Sequence, residues 1–300
     1  MNRYSARTLG IIFAITAAVF WGLSGTFVQF LIETREIEIE WLVTVRLLVS
    51  GVLLIAYSQL KGNDIWQPWQ TRRSIGRLLM FGLLGMLSIQ YTYFATIKHS
   101  NAATATVLQY LGPVLIAVYL AFARKRWPSG YERIAIVCGA LGAFLLVTHG
   151  QLGVLSISVP ALFWGLGSAV ALAFYTIQPA ELLKRYDSAT LIGWAMLIAG
   201  GGFTFVSQPW NVPGIWNAPT YFATGFIILF GTLAAFWLYI AAIKRIGPQQ
   251  ASLLAFTEPL SAALVAVVWL NAPFGLIDWI GTAFILAAIF VLSKADTTQV

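Results

Sequence analysis

This chain has almost no cysteine or histidine: one Cys, Cys138, and two His, His99 and His149, in 300 residues. An internal disulfide is excluded, and a structural zinc site of four Cys and His ligands cannot be assembled. Charge is scarce as well, at 10% Asp, Glu, Lys and Arg, against about 25% in soluble chains. No Gly-rich phosphate loop and no basic nucleic-acid surface occurs, so any ATP-driven mechanism would need a separate subunit. Gly22-Leu23-Ser24-Gly25 matches the Gly-x-Ser-Gly pattern of intramembrane serine proteases. That chemistry also requires a histidine at membrane depth, and here one histidine falls in a loop and the other at the end of an apolar run. The chain therefore reads as no enzyme, with no cofactor and no metal, and Cys138 reads as a small buried hydrophobe.

What the sequence has in abundance is apolar length. Hydrophobic residues make up 59% and the mean hydropathy is +0.80. A membrane-spanning helix needs roughly 17–25 mainly apolar residues. Ten segments meet or approach that: Leu9–Leu31, Trp41–Leu60, Leu78–Ile97, Ala102–Ala123, Ile134–Thr148, Leu155–Gln178, Ala189–Ser207, Tyr221–Ile243, Ala251–Leu270 and Trp279–Ser293. Their continuity favours helices over the short alternating strands of a membrane barrel. The first is too long for the core of a signal peptide and has no cleavage site after it, so it reads as a retained span. The fold class expected is an all-α integral membrane protein of ten transmembrane helices.

The net charge of +7 is distributed by loop. Fifteen of the eighteen Lys and Arg residues sit at one set of alternate loops, among them Lys61, Arg72, Arg73, Arg77, Arg124, Lys125, Arg126, Lys184, Arg185, Lys244 and Arg245. The opposite loops hold Arg35 and Lys98, and the first of these is acidic, with Glu33, Glu36, Glu38 and Glu40. The excess of basic residues on cytoplasmic loops puts both termini in the cytoplasm.

The chain also repeats itself. Subtracting 146 from positions 231–263 lays Gly231 on Gly85, Tyr239 on Tyr93, Lys244 on Lys98, Leu254 on Leu108 and Pro259 on Pro113 without a gap. Near the start of each half, Phe20-Trp21-Gly22-Leu23 returns as Phe163-Trp164-Gly165-Leu166 at an offset of 143. Two halves follow, residues 1–151 and 152–300, each of five spans. An odd number of crossings makes the second half enter from the other side, so the halves are expected to be inverted copies. That architecture suits a transporter whose two faces open in turn.

Paired interruptions in such copies point to the binding site. Pro113 and Pro259, near the middle of the fourth and ninth spans, are the candidate hinges, because each removes a backbone donor and strains the turn before it. Glu258 is the one acidic residue deep in a span, and its first-half counterpart is Gly112. It has three candidate roles: a proton-coupling site, a partner for a substrate ammonium, or an ion pair with Arg46 of the second span. Against the ion pair, Arg46 lies close enough to its helix end to reach the surface. Aromatic residues at matched depth complete the set of candidate substrate contacts: Trp21 and Trp164, Tyr91 and Trp237, Tyr93 and Tyr239, and Tyr110 opposite Phe256. Residues two apart on a helix diverge by roughly 200°, so Tyr91 and Tyr93 cannot share a cavity. Thr104, Thr106, Gln109, Gln250, Thr257 and Ser261 offer uncharged polar contacts. Gly22, Gly25, Gly82 and Gly85 permit close helix approach, and Lys98 and Lys244, equivalent in the two copies, have two readings, snorkelling at their helix ends or framing the two mouths, of which snorkelling is favoured.

With its ten spans, the paired Phe-Trp-Gly motifs (Phe20 to Gly22, Phe163 to Gly165) and the prolines Pro113 and Pro259, the chain resembles the drug/metabolite transporter superfamily of the two-EamA-domain type. Within it the likeness is greatest to bacterial aromatic-amino-acid exporters. The resemblance implies a multi-pass protein of the bacterial inner membrane that moves amino acids and related small molecules out of the cytoplasm. Its partners would be that substrate and the lipid bilayer, with no nucleic acid and no oligomer required. Many relatives carry glutamates near the ends of the fourth and ninth spans, where this chain has Arg124-Lys125-Arg126 and Asn271, so roles resting on those glutamates do not transfer. A proton-coupled multidrug or quaternary-ammonium exporter is the alternative, and a membrane receptor or assembly scaffold is the alternative from another class.

Overall fold

The computed structural model describes residues 3–100, 102–123, 125, 127–154, 158–270 and 275–294. The side chain of Thr104, and Arg124, Arg126 and Asn271, lie outside them. Among the described residues the structure is all-helical. The helices are α1 (Arg3–Arg35), α2 (Ile39–Leu60), α3 (Arg72–His99), α4 (Ala102–Gln109), α5 (Gly112–Ala123) and α6 (Gly130–Thr148). They continue with α7 (Val159–Ile177), α8 (Ser188–Phe203), α9 (Ala218–Leu254), α10 (Thr257–Leu270) and α11 (Leu276–Lys294). Six helical stretches are long and apolar enough to cross a membrane, and shorter apolar helices accompany them. Large apolar side chains such as Phe122, Val137, Val170 and Phe222 point outward, as a bundle solvated by lipid allows.

Several helices start earlier than the apolar runs do, because polar caps extend them. The Ser129 hydroxyl accepts from the Glu132 amide while the Glu132 carboxylate accepts from the Ser129 amide at 2.9 Å. This capping box carries α6 back to Gly130. Thr71, Ser158, Asp187 and Asn217 accept from backbone amides in the first turns of α3, α7, α8 and α9.

Neighbouring helices are antiparallel and share small residues. Along α1 and α9, Gly10 meets Ile246 and Gly231 meets Ser24. On α3 and α7, Ser158 donates to the His99 carbonyl at one end and Gln178 to the Arg77 carbonyl at the other. α2 crosses α8 with Gly51 against Leu197, Gly200 against Leu48 and the Ser58 and Thr190 hydroxyls bonded at 2.5 Å. α6 crosses α11 with Gly142 against Gly281, and His149 bonded to Asp278 at 2.7 Å. Gly25 has open space around it, contrary to the expectation for it.

The offset of 146 reappears in the backbone. α3 carries a π-helical segment at Phe81–Leu87, and α9 carries one at Ile227–Ala234. Such segments loosen the i→i−4 ladder locally. Thr232 returns its hydroxyl to the Ile227 carbonyl and Ser88 to that of Leu83.

The fourth and ninth spans are broken rather than bent. α4 ends at Gln109, Tyr110 and Leu111 form a turn, and α5 begins at Gly112, one residue before Pro113. In the second half Gly247 (φ 80°) interrupts α9, leaving residues 248–254 as a separate turn of helix. Ala255 and Phe256 form the next turn, and α10 starts at Thr257, two residues before Pro259. Proline suits the first turn of a helix, where the missing N–H has no partner to lose. Each proline therefore opens a second helix instead of kinking a single one.

Candidate functional site

The two breaks face each other. Tyr110 and Phe256, equivalent residues of the two copies, pack ring against ring with centroids 5.1 Å apart. Glu258 follows in the first turn of α10, with its carboxyl beside Tyr110 and near Tyr93. Tyr93 is anchored by a 2.9 Å bond to the Thr106 hydroxyl. The Tyr110 hydroxyl is buried and turned toward the Glu258 carboxyl. Holding a charge at this depth costs about 2.5–3.5 kcal/mol on insertion scales, so the carboxyl is retained against a penalty.

α1 closes the back of this turn. A β-carbon at Gly22 would collide with the Ser261 hydroxyl, and it would meet the Glu258 carbonyl oxygen at 2.5 Å. Its twin Gly165 lies against Leu108 of α4. The glycine of each Phe-Trp-Gly motif thus lets the first helix of one half touch the broken helix of the other. The asymmetry between Gly112 and Glu258 also has a steric reason. A β-carbon at position 112 would come within 2.7 Å of a Leu172 methyl, so a glutamate there would require that side chain to turn aside.

Beside the breaks, aromatic rings fill the space between α1, α3, α7 and α9. Trp21 packs on Phe236 and Tyr239, each at 5.1 Å, and Tyr239 stacks on Tyr175 at 6.2 Å, which stacks on Phe81 at 5.4 Å. The Tyr239 hydroxyl shares a bond with Thr176. The indole N–H of Trp21 and the hydroxyl of Tyr175 are buried without partners. Phe81, Tyr175 and Phe236 escaped the sequence reading because none is an aromatic matched by another aromatic at the repeat offset.

The other expected contacts lie elsewhere. Trp237 packs on Tyr57 of α2 at 5.3 Å. Tyr91 stands between Trp164 at 5.5 Å and Phe203 at 5.6 Å. Those three rings line a cavity of about 80 Å³ between α2, α3, α7 and α8, with Glu40 and Lys98 at its mouth. Tyr91 and Tyr93 do diverge, one to this cavity and one to Glu258. Gln109 donates to the Ser168 hydroxyl at 2.7 Å and so ties α4 to α7. The Thr257 and Ser261 hydroxyls return to the carbonyls of Leu254 and Glu258 at 2.6 and 2.7 Å. They satisfy acceptors at the second break and leave little free for a ligand.

Arg46 departs from both expectations for it. Among the described residues no ion pair joins it to Glu258. Nor does it reach the surface: it is 5% exposed, with its guanidinium over the Phe94 ring at 5.1 Å.

The sequence pattern of the EamA-like transporter family matches this chain twice, at residues 8–148 and 159–294. The chain is 38% identical to an uncharacterized inner membrane transporter, YicL, of Salmonella typhimurium, covering 95% of each protein. It is 24% identical to the uncharacterized transporter YwfM of Bacillus subtilis, covering 96% of this chain and 95% of that one. A crystal structure 18% identical in sequence shares the fold with a TM-score of 0.79, covering 97% of this chain and 98% of that one.

Proposed function

The chain belongs to the EamA-like transporter family, and from that premise we propose that it is a secondary transporter exporting amino acids, aromatic and related, by alternating access. It is a multi-pass protein of the bacterial inner membrane, a transporter rather than an enzyme. In this reading residues 1–151 and 152–300 are inverted five-span repeats about an axis in the membrane plane, with both termini cytoplasmic. The antiparallel packing of equivalent helices and the one-sided distribution of Lys and Arg support that arrangement.

The observation that carries the proposal is the meeting of the two breaks at Tyr110 and Phe256, with the Glu258 carboxyl beside them. A broken helix in each copy supplies paired hinges at Pro113 and Pro259, and a lone carboxyl between two tyrosines suits an ammonium group. The rings of Trp21, Tyr110 and Tyr239 would take the substrate's side chain once the packed cluster parts. Trp164 and Tyr91 would serve at one mouth, while Gln109 and Trp237 hold the walls.

The same Glu258 and its tyrosine neighbours favour one second reading, a proton-coupled exporter of quaternary-ammonium or other cationic compounds. Uptake of radiolabelled phenylalanine, tryptophan and tetraphenylphosphonium into proteoliposomes, with and without a pH gradient, separates the two. Amino-acid flux that Glu258→Gln reduces supports the first. Flux of the cation alone, strictly dependent on Glu258 and the gradient, replaces it with the second. Binding without flux of any solute would point to a receptor or scaffold.

A further inference from the structure

A buried cation with no anion is the least explained group in this molecule. Arg46 makes no hydrogen bond and no ion pair among the described residues, and its Nε is fully enclosed. The ring of Phe94 is its neighbour, at 5.1 Å. A guanidinium has five N–H donors in a planar fork, and burying them unpaired is unfavourable unless something arrives to accept them.

Its position says where that acceptor would come from. Ile39, Val43 and Arg46 follow one another at helical spacing on α2, so they project in nearly the same direction. Ile39 and Val43 line the cavity between α2, α3, α7 and α8, and so does Phe94, on whose ring Arg46 lies. The guanidinium therefore sits one turn below the cavity, behind Phe94. A second unpaired donor among the described residues lies on α3. The Gln90 side-chain amide, one turn before Phe94 on α3, is buried with its N–H₂ unbonded. Both orphaned groups are donors. The walls above them are the rings of Tyr91, Trp164 and Phe203. Glu40 and Lys98, 4.0 Å apart, stand at the mouth and offset one another.

We propose that this cavity is a carboxylate-binding site, in which Arg46 and Gln90 receive the carboxylate of an aromatic or apolar acid and Tyr91, Trp164 and Phe203 receive its body. The cavity is smaller than the roughly 300–1,000 Å³ of ligand pockets, so Phe94 must turn aside for the acid to reach the fork. The site is separate from Glu258, and it stands whether the solute carried there is an amino acid or a cation. Ile192 occupies the place equivalent to Arg46 in the second half and is fully buried, so the site has one copy only.

The test uses the purified full chain in lipid nanodiscs, with phenylacetate as the acid and phenethylamine as its cationic counterpart, followed by isothermal titration calorimetry. Phenylacetate should bind and phenethylamine should not. Arg46→Gln should weaken phenylacetate about tenfold or more, the scale of a lost charge-assisted hydrogen bond. Arg46→Lys, which keeps the charge and loses the fork, should fall between. Ala95 lines the same cavity. In an Ala95→Cys, Cys138→Ala protein with Arg46 intact, phenylacetate should slow alkylation by N-ethylmaleimide. Equal binding of acid and amine, affinity within twofold in Arg46→Gln, or unprotected alkylation would each overturn the proposal. The last holds even if the Arg46 variants fail to fold. Because phenylacetate has no ammonium for Glu258, these outcomes are independent of whether amino acids are exported.

Discussion

At the end of the bundle that carries Lys98, its ammonium faces Glu40, and Tyr91 stands between Trp164 and Phe203 over an open cavity. At the other end, 146 residues on, Lys244 donates to the Tyr186 carbonyl at 3.2 Å and Trp237 stands edge-on to Tyr57. Glu40 and Tyr186 are equivalent positions, as are Phe203 and Tyr57. The backbone framework is thus nearly the same twice, and a few side chains decide what each copy can hold. Tyr186 is 7% exposed and its hydroxyl is tied to Ser74 at 2.7 Å, so a fixed ring fills the place that a carboxylate leaves open at the first end. The first tryptophans differ too. Trp164 leans on Tyr91 at the cavity, while Trp21 packs inward on Phe236 and Tyr239. The two ends thus share a framework and differ in how it is filled.

The comparison is most sharply broken at the two Phe-Trp-Gly glycines. Gly22→Val drives a side chain into the Glu258 backbone, which cannot move aside, whereas Gly165→Val meets only Leu108, whose methyl can turn away but whose Cβ, 2.9 Å from the new β-carbon, requires a small shift of α4. The first should cost more than about 3 kcal/mol and abolish the monodisperse peak in size-exclusion chromatography. The second should cost about 1–3 kcal/mol and lower the melting temperature only. Equal losses would show that α1 and α7 are not held as differently as the structure has them.

Emptying the filled end is the next test. Tyr186→Ala removes the ring and strands the Ser74 hydroxyl, at a cost of about 3 kcal/mol in thermal melting. It should also open Ala189→Cys, in a Cys138→Ala background, to maleimide labelling. An Ala189→Cys that stays unlabelled after loss of the ring would mean that the end is closed by more than Tyr186.

Smaller effects distinguish the hydroxyls. Tyr239→Phe breaks the bond to Thr176 and should lower stability by about 1 kcal/mol, while Tyr110→Phe removes a buried hydroxyl that stands beside the Glu258 carboxyl and should lower it by less. In flux assays the order should reverse, because Tyr110 adjoins Glu258 and Tyr239 lies within the packed rings. At the bottom of the scale Gly25→Ala, with nothing within 4 Å of the new methyl, should shift the melting temperature by less than a degree or raise it.

Much of this was written in the chain. The offset of 146 reappears in the paired π segments and in the breaks just before Pro113 and Pro259, and Glu258 stands at the second of those breaks. Other features were hidden for physical reasons. A proline in an apolar run reads as a kink, and only the turns at Tyr110–Leu111 and Ala255–Phe256 show that each begins a helix. Nothing in the sequence marks a π segment, because its residues are those of an ordinary apolar helix. Arg46 was expected near the surface on the length of its side chain, but the ring of Phe94, contributed by another helix, holds it inside.

By itself the sequence determined the solvent and the multiplicity: long apolar runs require lipid, and a stretch that recurs without a gap 146 residues on shows that the chain repeats itself. The tertiary structure alone decided which equivalent residues are used alike. Whether a tyrosine lines a cavity, packs in a column or faces a carboxyl depends on what the crossing helix brings to within a few ångströms. Those neighbours come from distant parts of the chain, where no local periodicity can announce them.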